Sequence, residues 1–334
     1  MTTLENIFHR QEMNQQKPKS EQLITIVIPC YNEEENIEVL YERIEATFKD
    51  IEYQHDYLFI DNCSQDKTPE VLEKLAAKDP NVQVIFNVRN FGHIRSPYYG
   101  ILQSQGDATI FIAADLQDPP EMMNQMIDEW EKGHDVVMGV KSSSKELWMM
   151  FLIRRIYYWF IDKLAEVPLV KNFYGFGLYD KQVIAVLQKY EDPYPYFRGQ
   201  ICELGFPSVQ LEYVQEARAR GITKNNFYTL LDIALLGITY HSKVPLRVGI
   251  IGGAFMSFIS FLIGMGYAVA KVLNWDSFSM GVAPLLIGMF FFFSLQLVFL
   301  GVIGEYTANI YTQVLKRPLV VERKRLNAKT PKTD

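Results

Sequence analysis

The sequence predicts an α/β domain on a mostly parallel sheet, followed by a two-helix transmembrane hairpin. Three observations carry this. Short apolar, β-branched runs alternate with amphipathic stretches up to about residue 140. Clusters rich in Asp, Asn and Glu follow several of those runs. Two long uncharged runs lie in the last third of the 334 residues.

The first strand is Ile24–Ile28, stopped by Pro29. A helix over Glu34–Phe48 puts Ile37, Leu40, Ile44 and Phe48 on one face. Tyr57–Ile60 is the second strand and ends at Asp61. Thr68–Ala77 follows as a helix, with Pro69 tolerated in its first turn. Val82–Phe86 is the third strand, and His93–Gln105 the next helix. Thr109–Ala113 is the fourth strand and Asp135–Met138 the fifth; a helix over Pro120–Lys132, ended by Gly133, joins them. In such sheets ligands bind beyond the carboxyl ends of the strands. "PCYNEEE", "DNCSQD" and "AADLQD" all fall there. No glycine-rich phosphate loop follows the first strand.

The pattern changes after Gly139. Stretches near 147–164 and at 226–242 read as helices lying in a membrane interface, or as core helices. Val248–Ala270 and Ser277–Gly304 run for about 23 and 28 residues without a charge, enough for two spans. Buried core helices share that composition, but a hairpin of two such lengths is hard to bury in water. Lys243 and Arg247 precede the first span, and Lys316, Arg317, Arg323, Lys324 and Arg325 follow the second. Both ends are therefore expected in the cytoplasm.

The expected organisation is a tail over 1–20 and a catalytic domain over 21–225. The interfacial helix at 226–242, two spans within 246–310 and a basic tail over 311–334 follow. That tail is expected either to lie solvated or to meet an anionic membrane surface. The N-terminus lacks the apolar core of a signal peptide. Net charge is −6, which disfavours a nucleic-acid partner. Cys30, Cys63 and Cys202 show no zinc-type spacing and suit a reducing compartment.

A carboxylate with an amide two positions on, as in Asp115 and Gln117, offers oxygens to a hard divalent cation. Asp118 before Pro119-Pro120 reads equally as a helix cap. The surroundings sharpen this. "TIVIPCYNEEENI", "IDNCSQDKT", "RNFGHIRSPYYGI" and "AADLQDPPEM" occur in this order. Together they resemble the family-2 inverting glycosyltransferases of GT-A fold, in the branch that loads a sugar onto polyprenyl phosphate. "FRGQICELGF", "RARGITKNNFYTLLDIAL" and "GEYTANIYTQVLKRP" extend the likeness over nearly the whole chain, and the two spans with the "GEYTANIYTQVLKRP" ending look most like the bacterial polyprenyl-phosphate glucosyltransferases of the GtrB type.

The resemblance implies a UDP-sugar donor, a polyprenyl phosphate acceptor, a lipid bilayer, and Mg²⁺ or Mn²⁺. It places the protein in a bacterial-type inner membrane. It implies that Pro29, Tyr31, Asn32, Glu33 and Asp61 hold base and ribose, with Asn90, Ala113, Ala114 and Lys224 also in the donor site. Asp115 and Gln117 are implied to bind the metal. Arg155, with Lys141 where the family often has Arg, is implied for the acceptor phosphate. Arg218 and Lys224 are implied in a loop closing over the donor diphosphate, so Asp115, Arg155 and Arg218 form the implied catalytic set.

The chain departs from the family at Ala113, which replaces the first Asp of the metal motif. It departs again at "GFGLYD", Gly175 to Asp180, which puts sugar choice in question. Arg198 reads as structural or functional. Open alternatives are mannose or aminoarabinose as the sugar, a diacylglycerol-type acceptor that would need a base, and a non-catalytic nucleotide-sugar scaffold. A homo-oligomer is also left open.

Overall fold

The computed structural model describes residues 18–142, 170–215 and 282–328, and part of 251–273. Fifteen elements, labelled here in chain order, position the site. The first are β1 (Leu23–Cys30), α1 (Ile37–Phe48), β2 (Gln54–Asp61), α2 (Thr68–Lys78), β3 (Val82–Asn87) and α3 (Gly92–Leu102). Next come β4 (Ala108–Phe111), α4 (Met123–Glu131) and β5 (Val136–Lys141). Then follow β6 (Phe173–Asp180), α5 (Lys181–Leu187), α6 (Phe197–Leu204) and β7 (Ser208–Tyr213). Last are α7 (Val282–Val314) and β8 (Glu322–Leu326).

The strands form one sheet in the order β7-β5-β6-β4-β1-β2-β3-β8. β4, β1, β2 and β3 are parallel neighbours, as the alternating pattern predicts. β6 runs against both β4 and β5, and β8 runs against β3. Two apolar clusters cover the two faces. Ile24, Ile26, Ile28, Phe59 and Phe86 pack beneath α1 and α2, while Val27, Ile60, Ile85 and Tyr179 face the opposite layer. Strands buried on both faces read as continuous apolar runs, which is why β1 to β4 are visible in the sequence.

The differences have local causes. α1 begins at Ile37 rather than Glu34 because a turn intervenes. There Glu33 N–H donates to Thr68 Oγ1 (2.8 Å) and Asn36 N–H to the Glu33 carbonyl (2.9 Å). The predicted fourth helix splits into a 3₁₀ turn, Pro120–Met122, and α4. β6 was not predicted, because "FYGFGLYD" interrupts its apolar pattern with glycine. Glycine is required at Gly177: a Cβ there would lie 2.4 Å from the Val137 carbonyl oxygen across the β5–β6 pairing. Asp180 ends β6 and caps α5, accepting from Gln182 N–H (2.9 Å). It also accepts from the indole N–H of buried Trp130 (2.8 Å), which ties this insertion to α4.

The C-terminal part departs most from expectation. The second apolar run is one helix that continues past the predicted end to Val314. Its stretch Phe291–Val314 is long and apolar enough to cross a bilayer and is unburied, the one such helix among the described residues. The first predicted span is helical wherever 251–273 is described and exposes Ile251, Phe255 and Phe258. A Cβ at Gly252 would sit 3.6 Å from Phe299 Cζ, so the two runs are adjacent there. The expected tail is not simply solvated: β8 returns to the sheet and pairs with β3. The predicted interfacial helices near 147–164 and at 226–242 lie outside the described residues.

Candidate active site

The carboxyl ends of β1, β2, β3 and β4 converge on one edge of the sheet. Pro29 is the penultimate residue of β1, paired with Ile60. Beyond it, the loops after β1 and β2 are stitched together. Asn32 adopts a left-handed conformation (φ 58°), its N–H donates to Ser64 Oγ (2.9 Å), and its Oδ1 accepts from Gln65 N–H (2.8 Å). Glu34 Oε2 accepts from Lys67 N–H (2.8 Å), and Glu33 Oε2 from Asn36 Nδ2 (2.6 Å). Asn32 and Glu33 therefore fasten the loops after β1 and β2 to each other. Tyr31 stands half-buried beside them.

Asp61 is fully buried, and both its oxygens accept from Ser64 N–H (3.2 and 3.3 Å). Burial pushes its carboxyl up; the Ser64 hydrogen bonds, and then the Arg323 guanidinium, pull it down. The Cys30 thiol is held well above its usual range by burial and by Asp61, so it is an inert core group.

Asn62 organises the next loop. Its Oδ1 accepts from Asn87 Nδ2 (3.1 Å) and Phe91 N–H (2.9 Å). Its Nδ2 donates to Asn90 Oδ1 (3.0 Å) and the Gly92 carbonyl (3.1 Å). Asn90 Oδ1 also accepts from Gly92 N–H (2.7 Å) at the start of α3. Asn90, expected in the donor site, thus holds the loop that leads from β3 into α3. Asn62 was not singled out in the sequence, although it sits inside "DNCSQD".

After β4 the chain alternates. Ile112, Ala114 and Leu116 are buried, while Ala113, Asp115 and Gln117 are half-exposed. Gln117 N–H donates to Asp115 Oδ1 (3.3 Å), and Leu116 takes a left-handed turn (φ 58°). Asp118 accepts a hydrogen bond from the Tyr213 hydroxyl. Burial pushes the Asp118 carboxyl up; the Tyr213 hydrogen bond and Lys141 oppose this, and Asp115 adds to it. The Tyr213 hydroxyl is held far above its ordinary range by burial and by Asp118. Lys141 and Tyr213 are register partners at the ends of β5 and β7. Strand pairing thus brings Asp115, Asp118, Lys141 and Tyr213 together. Tyr213 was missed: only the alternation Val209, Leu211, Tyr213 hints at a strand there.

The Lys141 ammonium lies 4.1 Å from the Tyr174 ring centroid, and the Arg198 guanidinium 5.0 Å from the same ring. Arg198 also donates to the Phe173 carbonyl (3.3 Å). A cavity of about 170 Å³ opens here, lined by His93, Pro97, Phe111, Tyr174, Phe197 and Arg198. Burial and Arg198 lower the His93 imidazole below its ordinary value. Arg155, Arg218 and Lys224 lie outside the described residues.

No group of three His, Cys, Asp or Glu side chains poised for a metal occurs among the described residues. The donor set nevertheless fits a hard cation shared with substrate. Asp115 and Asp118 are close enough to act on each other's charge, and the half-exposed Gln117, whose backbone N–H donates to Asp115, adds an amide oxygen to the donor types present.

The mostly parallel α/β sheet with β6 inserted antiparallel is GT-A-like, the arrangement of a class of glycosyltransferases. The model of the family described as Glycosyl transferase family 2 matches residues 25–176. A prophage-derived bactoprenol glucosyl transferase of Shigella flexneri is 32% identical over 305 residues, 90% of this chain and 97% of its own. An uncharacterized glycosyltransferase of Bacillus subtilis (strain 168) is 32% identical over 301 residues, 90% of this chain and 93% of its own. Glucosyl-3-phosphoglycerate synthase from Mycobacterium tuberculosis, solved with Mg²⁺ and UDP, aligns with 72% of this chain and 82% of its own. That alignment has a TM-score of 0.47 at 16% identity. The chain belongs to glycosyl transferase family 2 and is a glycosyltransferase.

Proposed function

We propose that the protein transfers glucose from UDP-glucose to polyprenyl phosphate, with inversion, at the cytoplasmic face of a bacterial inner membrane. The similarity to bactoprenol glucosyl transferases along nearly the full length of both chains carries this reading. The apolar α7 and the acidic edge of the sheet agree with it. So does β8: because it pairs with β3, the segment after α7 shares the compartment of the catalytic sheet.

In this mechanism Pro29, Tyr31, Asn32, Glu33, Asp61 and Asn90 shape and line the nucleoside pocket. Ala113 and Ala114 bring backbone to the donor. A divalent cation held by Asp115 and Gln117 would neutralise charge on the departing diphosphate. Lys141 and Arg155 hold the acceptor phosphate; Arg218 and Lys224 screen the donor diphosphate. A phosphate monoester has a second pKa of about 6, so the nucleophilic oxygen is ionised at neutral pH. No dedicated base is then needed, and Asp118 stays bound to Tyr213. The main task is to bring two anions together, which a lysine or arginine does by charge and placement. Lys141 is a point charge where a guanidinium would bind in two-pronged fashion, so its grip on phosphate is less directional.

The test is lipid-linked sugar formation by the purified full chain with undecaprenyl phosphate. UDP-glucose, UDP-galactose and GDP-mannose are compared, with and without chelator. Product from UDP-glucose alone, abolished by chelation, is expected. Product from another donor keeps the mechanism and discards the sugar. Asp115→Ala should lower turnover at least about 100-fold with unchanged melting; unchanged turnover would remove Asp115 from the centre.

A further inference from the structure

The basic segment after α7 forms the edge strand of the sheet. β8 is fastened to the nucleoside half of the sheet at several points. Val88 N–H donates to the Val321 carbonyl (3.0 Å), and Tyr99 Oη to Glu322 Oε1 (2.7 Å). Arg325 Nη2 donates to Gln103 Oε1 (2.8 Å). Asn327 Nδ2 donates to the carbonyls of Ala76 (2.7 Å) and Val82 (3.0 Å).

The pairing is irregular at one place. Phe86 pairs with Lys324 and Asn87 with Glu322, so Arg323 is the extra residue of a bulge. Bulges re-aim side chains and recur beside active sites. This one turns the Arg323 guanidinium over the Phe86 ring, 6.0 Å from its centroid. Phe86 is in turn the register partner of Asp61. Asp61, Phe86 and Arg323 therefore stand in a row across β2, β3 and β8 at the carboxyl edge. Arg323 is exposed, and its charge reaches the Asp61 carboxyl.

We infer that Arg323 is a nucleotide-binding residue of the donor site, donating hydrogen bonds to the base of a nucleoside diphosphate held between Asp61 and β8. Sheet spacing selects the base end. Four strand intervals of about 4.8 Å put β8 about 19 Å across the sheet from β4, which leads to Asp115, so Arg323 approaches from the side away from the proposed diphosphate end. A guanidinium stays charged and carries five N–H donors, so it can donate to a base carbonyl. The inference rests on the proposed nucleotide-sugar donor. Its consequence is that donor binding depends on the chain beyond the last membrane helix.

The experiment is equilibrium binding of UDP and UMP, with Mg²⁺, to the full chain in detergent, for wild type, Arg323→Gln, Arg323→Lys and Lys324→Gln. Losing a charge-assisted hydrogen bond should raise Kd about tenfold in Arg323→Gln, equally for UDP and UMP. Arg323→Lys should recover part of the loss. Lys324→Gln removes a neighbouring cation that pairs with Glu73 (3.0 Å) and should bind like wild type. Wild-type affinity in Arg323→Gln overturns the inference and leaves the proposed donor standing. An equal loss in Lys324→Gln, or a loss confined to UDP, also overturns it. Absence of UDP binding by the wild type overturns the inference and the UDP-donor reading together.

Discussion

Tyr213→Phe tests the electrostatics of the site most directly. The substitution removes one hydroxyl and keeps the ring, which packs edge-on against Phe176 at 5.5 Å between centroids. Packing is thus preserved while Asp118 loses its hydrogen-bond donor. A hydrogen bond to a charged group contributes about 1.5–3 kcal/mol, and a neutral one about 1 kcal/mol. The Asp118 carboxyl is already raised in the folded protein, mainly by burial. The native state therefore holds this proton more tightly than the unfolded chain does. From this group, stability falls as pH rises from the ordinary carboxylate range through the raised value, and stays low above it.

Removing the Tyr213 donor raises that carboxyl further and deepens the fall. The variant should be about 2 kcal/mol less stable than wild type at neutral pH, with the gap shrinking to about 1 kcal/mol in acid. Denaturant unfolding of the full chain in detergent from pH 4 to 8 reads both numbers. A gap that does not change with pH would refute the charged Asp118–Tyr213 contact.

Two further substitutions test other parts of the molecule. Ala113→Asp adds a carboxylate at a half-exposed position on the same side of the chain as Asp115 and Gln117, so half-maximal activity should need about tenfold less Mg²⁺; an unchanged metal titration would place residue 113 away from the cation. Gly177→Ala drives a methyl to within 2.4 Å of the Val137 carbonyl, so a loss of about 1–3 kcal/mol is expected, read as a lower melting temperature with the β5–β6 pairing weakened.

How far the site was legible depends on where its parts come from. Asp61, Asp115 and Gln117 end buried parallel strands or follow them, and that position is readable from local patterns. Asp118 is different. Its neighbours Lys141 and Tyr213 sit on β5 and β7, and only sheet pairing brings the two strands together. Asn62 was equally hidden, because its role is a set of hydrogen bonds to Asn87, Asn90, Phe91 and Gly92 across two loops. No local pattern specifies such a hub.

By itself the sequence determined the β-α-β order of the first half, the apolar character of the C-terminal third and the chemistry at the strand ends. These follow from short-range rules: burial on both faces makes parallel strands uniformly apolar, and a bilayer demands long uncharged helices. Tertiary structure alone decided the positions of β6 and β8. β6 fits between β4 and β5 because Gly177 lets two backbones approach. β8 is "ERKRL", a charged segment with no apolar signature, joined to the sheet edge through main-chain hydrogen bonds that any side chains permit. Strand addition of that kind depends on an open edge elsewhere in the fold, and so Arg323 reaches the end of β3 from a part of the chain that reads only as a basic tail.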